Sequence, residues 1–209
     1  MADSWSAIIL TGGTSKRFGA DKAEAILAGR ALVDHLISEI PEDAPIIVVG
    51  PNRAAFDTRI QVTQESPAFS GPVAAIAAGV KLVRTELVAV FATDMPFGPL
   101  LIPQLMASMS DECEAVLPLD TSGFAQPLCA LYRVDALNRA LSSLKTVIGE
   151  SMRKLVANLQ VVEVPIDLEK SRLLTDIDTP ENLTAALSSY NALKDVLLTK
   201  RRVDNGHMD

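Results

Sequence analysis

The chain has 209 residues, 48 % of them hydrophobic, enough apolar material for one sizeable core. Its net charge of −7 argues against a protein that coats nucleic acid or an anionic membrane, and its 4 % of aromatic residues against a base-stacking platform. Two cysteines (Cys113, Cys129) and two histidines (His35, His207) form neither a disulfide framework nor a usual zinc pattern, and they suit a reduced compartment.

Short apolar runs alternate with helical patterns along the chain. Trp5–Leu10 reads as a buried strand, and the apolar spacing of Ala31–Ile40 predicts a helix that carries His35 as an ordinary core-edge residue. Pro45–Val49 and Ile60–Thr63 are predicted strands, and Pro72–Val83 is a helix opened by proline in its first turn. Leu87–Ala92 is a strand apolar on both faces, followed by a helix over Pro99–Met109. Strands at Ala115–Leu117 and Leu128–Tyr132, helices at Val134–Leu144 and Ser151–Leu159, and a strand at Val161–Val164 follow. Thr179 caps a last helix that runs to about Leu193. One domain over residues 1–193 with a polar tail over 194–209 is the expected organisation.

This alternation predicts an open, mostly parallel, doubly wound α/β sheet with helices on both faces. Ligands of such sheets bind beyond the carboxyl ends of the strands, near the point where strand order reverses. No run approaches the roughly 18 apolar residues of a membrane span, and no cationic leader precedes an apolar stretch. The expected location is the cytoplasm.

The loop after the first strand runs Leu10-Thr11-Gly12-Gly13-Thr14-Ser15-Lys16-Arg17-Phe18-Gly19-Ala20-Asp21-Lys22. Glycines let backbone N–H groups approach a phosphate, and Lys16, Arg17 and Lys22 add local positive charge to an acidic chain. The spacing matches neither the dinucleotide fingerprint nor the Walker loop. It resembles the L-x-G-G-x-x-x-R-x-G-x-D-K signature of the molybdenum cofactor guanylyltransferases, within the wider nucleotidyltransferase superfamily. Thr11 stands where alanine is usual there, and Phe18 where methionine is usual.

The resemblance implies a Rossmann-like nucleotidyltransferase fold. It also implies Mg²⁺-dependent transfer of GMP from GTP to molybdopterin, with release of pyrophosphate. In that family the backbone near Leu10, Thr11, Gly12 and Gly13 meets the nucleotide, and Arg17 and Lys22 hold the triphosphate. Arginine supplies a planar fork for phosphate oxygens, and lysine a point charge for the departing pyrophosphate. The family's Asp-x-Pro matches Asp94-Met95-Pro96, which makes Asp94 the magnesium ligand; capping of the next helix is the alternative reading. The family's asparagine at the nucleotide matches Asn52. Its acidic residue before G-P matches Glu65, whose ionised carboxylate suits the adjacent N1 and N2 donors of guanine; a surface glutamate without a role is the alternative.

Gln126-Pro127-Leu128 resembles the family's segment on the acceptor side, so Gln126 is a candidate for the pterin or else a strand-entry glutamine. Arg153 is a further cation for the acceptor's phosphate but reads more simply as a solvated residue. Asp176 is an even choice between assisting the metal or a phosphate and opening the last helix, whereas Asp178 reads as structural. Family membership further implies transient contact with cofactor-delivery proteins or molybdoenzymes, and no nucleic acid or membrane. Cytidylyl or other nucleotidyl transfer, to the pterin or a sugar phosphate, and a non-catalytic nucleotide-binding regulator are the competing readings.

Overall fold

The computed structural model describes residues 4–12, 26–27, 29–51 and 58–174. In chain order the strands are β1 (Trp5–Leu10), β2 (Ile26–Leu27), β3 (Arg30–Ala31), β4 (Ile46–Val49), β5 (Ile60–Thr63), β6 (Leu87–Ala92), β7 (Ala115–Leu119), β8 (Cys129–Arg133) and β9 (Val161–Pro165). The helices are α1 (Leu32–Ser38), α2 (Pro72–Gly79), α3 (Ile102–Ala107), α4 (Val134–Ser143), α5 (Met152–Val156) and α6 (Leu168–Ser171). Seven strands form one sheet in the order β5-β4-β1-β6-β8-β7-β9, and β2 and β3 pair as a small antiparallel ribbon.

Strands β5, β4, β1 and β6 run parallel, as do β7 and β9. Strand β8 is antiparallel to both of its neighbours. The continuous apolar runs predict the parallel half but not the reversal of β8. Its cause is local. The connection after β7 contains no crossover helix, and a parallel return needs one. Instead the chain folds back at Asp120–Gly123. Gly123 has φ +79°, and Asp120 Oδ1 accepts from the N–H groups of Ser122 and Phe124 at 2.8 and 2.9 Å.

Alternate residues of each central strand face opposite layers, as strand geometry demands. Ala7 and Ile9 of β1 join Phe91, Leu32, Leu36 and Leu105 on one face. Ile8 and Leu10 join Val90, Ile76, Leu137 and Leu155 on the other. Helices α1 and α3 thus cover one side, and α2, α4 and α5 the other. The predicted helices are shorter than their sequence patterns: Ala31–Ile40 forms over Leu32–Ser38 and Ser151–Leu159 over Met152–Val156. Pro72–Val83 is α helix only to Gly79 and then turns 3-10 over Val80–Leu82; Pro99–Met109 opens as a 3-10 turn over Gly98–Leu101. The predicted last helix and the tail from residue 194 lie outside the described residues.

His35 is buried on α1 and meets the ring of Phe97 edge to face, with centroids 6.1 Å apart. That is the core-edge role expected from its pattern.

Phe91 is fully buried in the central strand β6. Phe91→Ala should cost about 3–5 kcal/mol of unfolding free energy. Phe124→Ala, at a side chain 69 % exposed, should stay within about 0.5 kcal/mol of the parent. Urea titrations of the two variants check the contrast.

Candidate functional site

From β1 the chain passes to β4 and then to β5 on one side of the sheet, and β6 starts again on the other side of β1. The strand order therefore reverses between β1 and β6. Their register pairs Leu10 with Ala92, so the loops that leave these strands emerge side by side. A cavity of about 330 Å³ opens there. Its wall comes from the end of β1 (Leu10, Thr11, Gly12), the end of β6 (Ala92, Thr93, Asp94), the start of α2 (Gly71, Pro72, Ala75), Phe69 and Leu128. This is the position that doubly wound sheets reserve for ligands.

The floor under Gly12 is set by a close approach of two loops. Thr11 N–H and Thr11 Oγ1 both reach the carbonyl of Val49, at 2.9 and 3.1 Å. The hydroxyl that replaces the family's usual alanine is thus satisfied inside the protein, at a site 3 % exposed. Gly50 makes room for it. A Cβ there would collide with Thr11 Oγ1 and lie 3.2 Å from Gly12 N, and its φ of +151° disfavours any side chain. Sequence reading passes over Gly50; its one signal is a glycine immediately after a buried strand.

Asp94 follows β6 in a turn closed by Met95 N–H on the carbonyl of Ala92 at 3.1 Å. The next helical turn begins after Phe97 and carries no side-chain cap, which removes capping as the reason for Asp94. Asp94 is the carboxylate on the cavity wall among the described residues. Magnesium commonly takes one or two carboxylates and completes its shell with phosphate oxygens and water, so this donor fits it. Beneath lies Cys129. Burial, and then the charge of Asp94, push its thiol up to about 12. Both cysteines are buried and free, and neither lines the cavity.

Glu65 is not a surface residue. It is 8 % exposed, its Oε1 accepts from Phe69 N–H at 2.8 Å, and that oxygen lies 3.9 Å from where a Cβ on Gly12 would stand. Its Oε2 is buried and accepts no hydrogen bond. Glu65 stands one layer behind Gly12 rather than on the wall itself.

Gln126 lies away from that wall, in the loop between β7 and β8. Its Nε2 donates to Asp120 Oδ2 at 2.8 Å. Hydrogen bonds from Phe124 N–H, Gln126 and Ser122 N–H hold the Asp120 carboxyl below the usual carboxylate range. Arg153 is exposed on α5. Gly13, Lys16, Arg17, Lys22, Asn52, Asp176 and Asp178 lie outside the described residues. The structure thus brings Leu10, Thr11, Gly12 and Asp94 to one cavity, puts Glu65 behind it and leaves Gln126 on the neighbouring loop.

Residues 7–163 match the MobA-like NTP transferase domain. The chain belongs to the MobA-like NTP transferase family. A curated relative from Bacillus cereus, named "Probable molybdenum cofactor guanylyltransferase", is 28 % identical over 159 residues, covering 72 % of this chain and 77 % of the relative. The crystal structure of molybdopterin-guanine dinucleotide biosynthesis protein A from Archaeoglobus fulgidus superposes with a TM-score of 0.66 at 22 % identity, over 87 % of this chain and 96 % of that one. The 2-C-methyl-D-erythritol 4-phosphate cytidylyltransferase of Thermus thermophilus gives 0.64 at 15 % identity, over 88 % and 97 %. At these identities the two structures establish the shared fold. Like other members of the MobA-like family, the chain is a nucleotidyltransferase. Among the described residues no helix is long and apolar enough to cross a membrane.

Two predictions come from this geometry. Gly50→Ala should destabilise the protein by about 1–3 kcal/mol and weaken nucleotide binding at least tenfold, by driving the two loops apart. Thr11→Ala alone should cost about 0.5–1.5 kcal/mol, and in combination it should recover part of the Gly50→Ala loss. Calorimetry of the single and double variants measures both.

The depressed Asp120 carboxyl stabilises its turn at every pH above the ordinary carboxylate range, and that stability is lost as pH falls through the lower folded value. Amide exchange at Ser122 and Phe124 should stay slow until that point. In Asp120→Ala it should be fast throughout.

Proposed function

We propose that the chain transfers GMP from GTP to the molybdopterin form of the molybdenum cofactor, with Mg²⁺, and releases pyrophosphate. The observation that carries this reading is the pairing of Leu10 with Ala92, which sets Gly12 and Asp94 on one cavity wall. The family match and the curated relatives named as guanylyltransferases support the choice of substrates.

The terminal phosphate of the acceptor is already a nucleophile at neutral pH, so the reaction needs no general base. Its oxygen attacks the α-phosphorus of GTP, the bond to the β-phosphate oxygen breaks, and pyrophosphate leaves. Catalysis then consists of positioning and charge stabilisation. Backbone groups of Leu10, Thr11, Gly12 and Gly13 line the phosphates in this reading, and Arg17 and Lys22 hold them. Asp94, with Asp176 as second candidate, would hold the cation, whose charge offsets that of the phosphate oxygens. Asn52 and Glu65 serve the guanosine. Glu65 would act from behind Gly12, through the Phe69 N–H that it holds, because its own side chain lies off the wall. On the acceptor side Asp120 fixes the Nε2 of Gln126, and a pterin N–H would meet its Oε1. The same reading places the reaction in the cytoplasm, with transient contact to cofactor-delivery proteins or molybdoenzymes.

Pyrophosphate release from GTP with purified molybdenum cofactor tests the proposal. Asp94→Ala should lower that rate by about 10²–10³ while leaving the circular dichroism spectrum unchanged. Titration with GTP, CTP, UTP and ATP in the presence of Mg²⁺ should rank GTP first. CTP binding as tight as GTP would overturn the guanine assignment, and nucleotide binding without pyrophosphate release would identify a non-catalytic regulator.

A further inference from the structure

One residue on the cavity wall has no part in the phosphate chemistry, and it is held at a cost. Phe69 is 61 % exposed, although an aromatic ring of that size normally finds a core. Its backbone has φ +61°, in the left-handed region that bulky residues avoid. Neither the exposure nor the strain is accidental to a loose loop. Phe69 N–H is tied to the buried Glu65, Ser70 Oγ donates to the carbonyl of Pro67 at 2.6 Å, and Ser70 O accepts from Gly149 N–H at 2.8 Å. Three hydrogen bonds therefore fix the segment that presents the ring. A strained, over-determined residue at a ligand cavity points to a ligand contact.

The position of the ring within the cavity identifies what it would touch. Helix α2, just after Phe69, packs on β1 and β4, whereas Asp94 follows β6 and Leu128 precedes β8 on the other side of β1. If the phosphates lie at Asp94, as in the proposed function, the far end of the nucleotide would lie toward Phe69, Gly71, Pro72 and Ala75 of the same wall. That end of the wall is apolar, and Glu65 holds its loop from behind through Phe69 N–H. A planar heterocycle with apolar faces matches such a wall. The guanine of the nucleotide and the pterin of the acceptor share that chemistry.

We propose that Phe69 is the stacking face for the base of the bound nucleotide. This inference rests on the nucleotide reading of the cavity and assigns the base end of it. A single ring of this kind reads a mononucleotide; it is not the repeated aromatic platform that single-stranded nucleic acid requires. Because stacking grows with the area of the base, the ring favours a purine over a pyrimidine, while the edge contacts choose among purines.

The test compares Mg²⁺–GTP with Mg²⁺–tripolyphosphate, which has the phosphates and no base, by isothermal titration of the full-length protein. Phe69→Ala should weaken GTP binding by about 5- to 100-fold and leave tripolyphosphate within twofold. Phe69→Gly, which also relieves the left-handed backbone, should lose as much GTP affinity as Phe69→Ala without a fall in melting temperature. Phe69→Trp should retain it. Equal losses for both ligands would show a displaced loop and overturn the proposal, as would undiminished GTP binding in Phe69→Ala or Phe69→Gly. An effect confined to the KM for molybdopterin would place the ring against the pterin and overturn the assignment to the nucleotide. If the parent protein binds no nucleoside triphosphate more tightly than tripolyphosphate, the nucleotide reading itself fails and takes this inference with it. If the parent binds GTP more tightly than tripolyphosphate and the Phe69 variants bind GTP as well as the parent does, the stacking role alone fails.

Discussion

The parallel register of β1 and β6 is the constraint on which the site depends. Leu10 sits opposite Ala92, so Thr11-Gly12 and Thr93-Asp94 leave the sheet as neighbours. A shift by one residue would turn Ile8 and Ile9, and Val90 and Phe91, to the wrong layers of the core. The burial that stabilises the sheet therefore also sets the turn at Thr11-Gly12 beside the carboxylate of Asp94. Stability and site geometry are set by the same pairing, and no separate device is needed to align them.

Around that pairing the secondary contacts are arranged by subtraction as much as by addition. Gly50 leaves out a side chain so that the loop after β4 can lie against the loop after β1, and Thr11 fills the space with a hydroxyl already satisfied by Val49. Glu65 then supports Gly12 from behind while holding Phe69 forward.

Most of the sheet was legible in the sequence because buried parallel strands are continuous apolar runs. Trp5–Leu10, Ile60–Thr63 and Leu87–Ala92 form over the predicted residues. The place of Asp94 on the cavity wall was legible too, since ligand cavities of such sheets open where central strands end. The antiparallel course of β8 was not, although Asp120-Thr121-Ser122-Gly123 is a turn sequence between two apolar runs and could have signalled it. The burial of Glu65 and the left-handed backbone of Phe69 left no such trace. Both arise from the way residues 65–70 fold onto Gly12 and onto the loop at Gly149, contacts that join segments far apart in the chain.

The protonated thiol beneath Asp94 has a consequence for the metal carried by the proposed acceptor. Thiolates are soft ligands that capture transition metals, and it is the thiolate, not the thiol, that binds. Cys129 is fully buried and does not line the cavity, and burial, then the charge of Asp94, push its thiol up to about 12. The carboxylate suited to a hard, exchangeable cation thus also silences the nearest soft donor. In the proposed reaction, the cavity would therefore offer no sulfur ligand of its own to a metal that the acceptor carries.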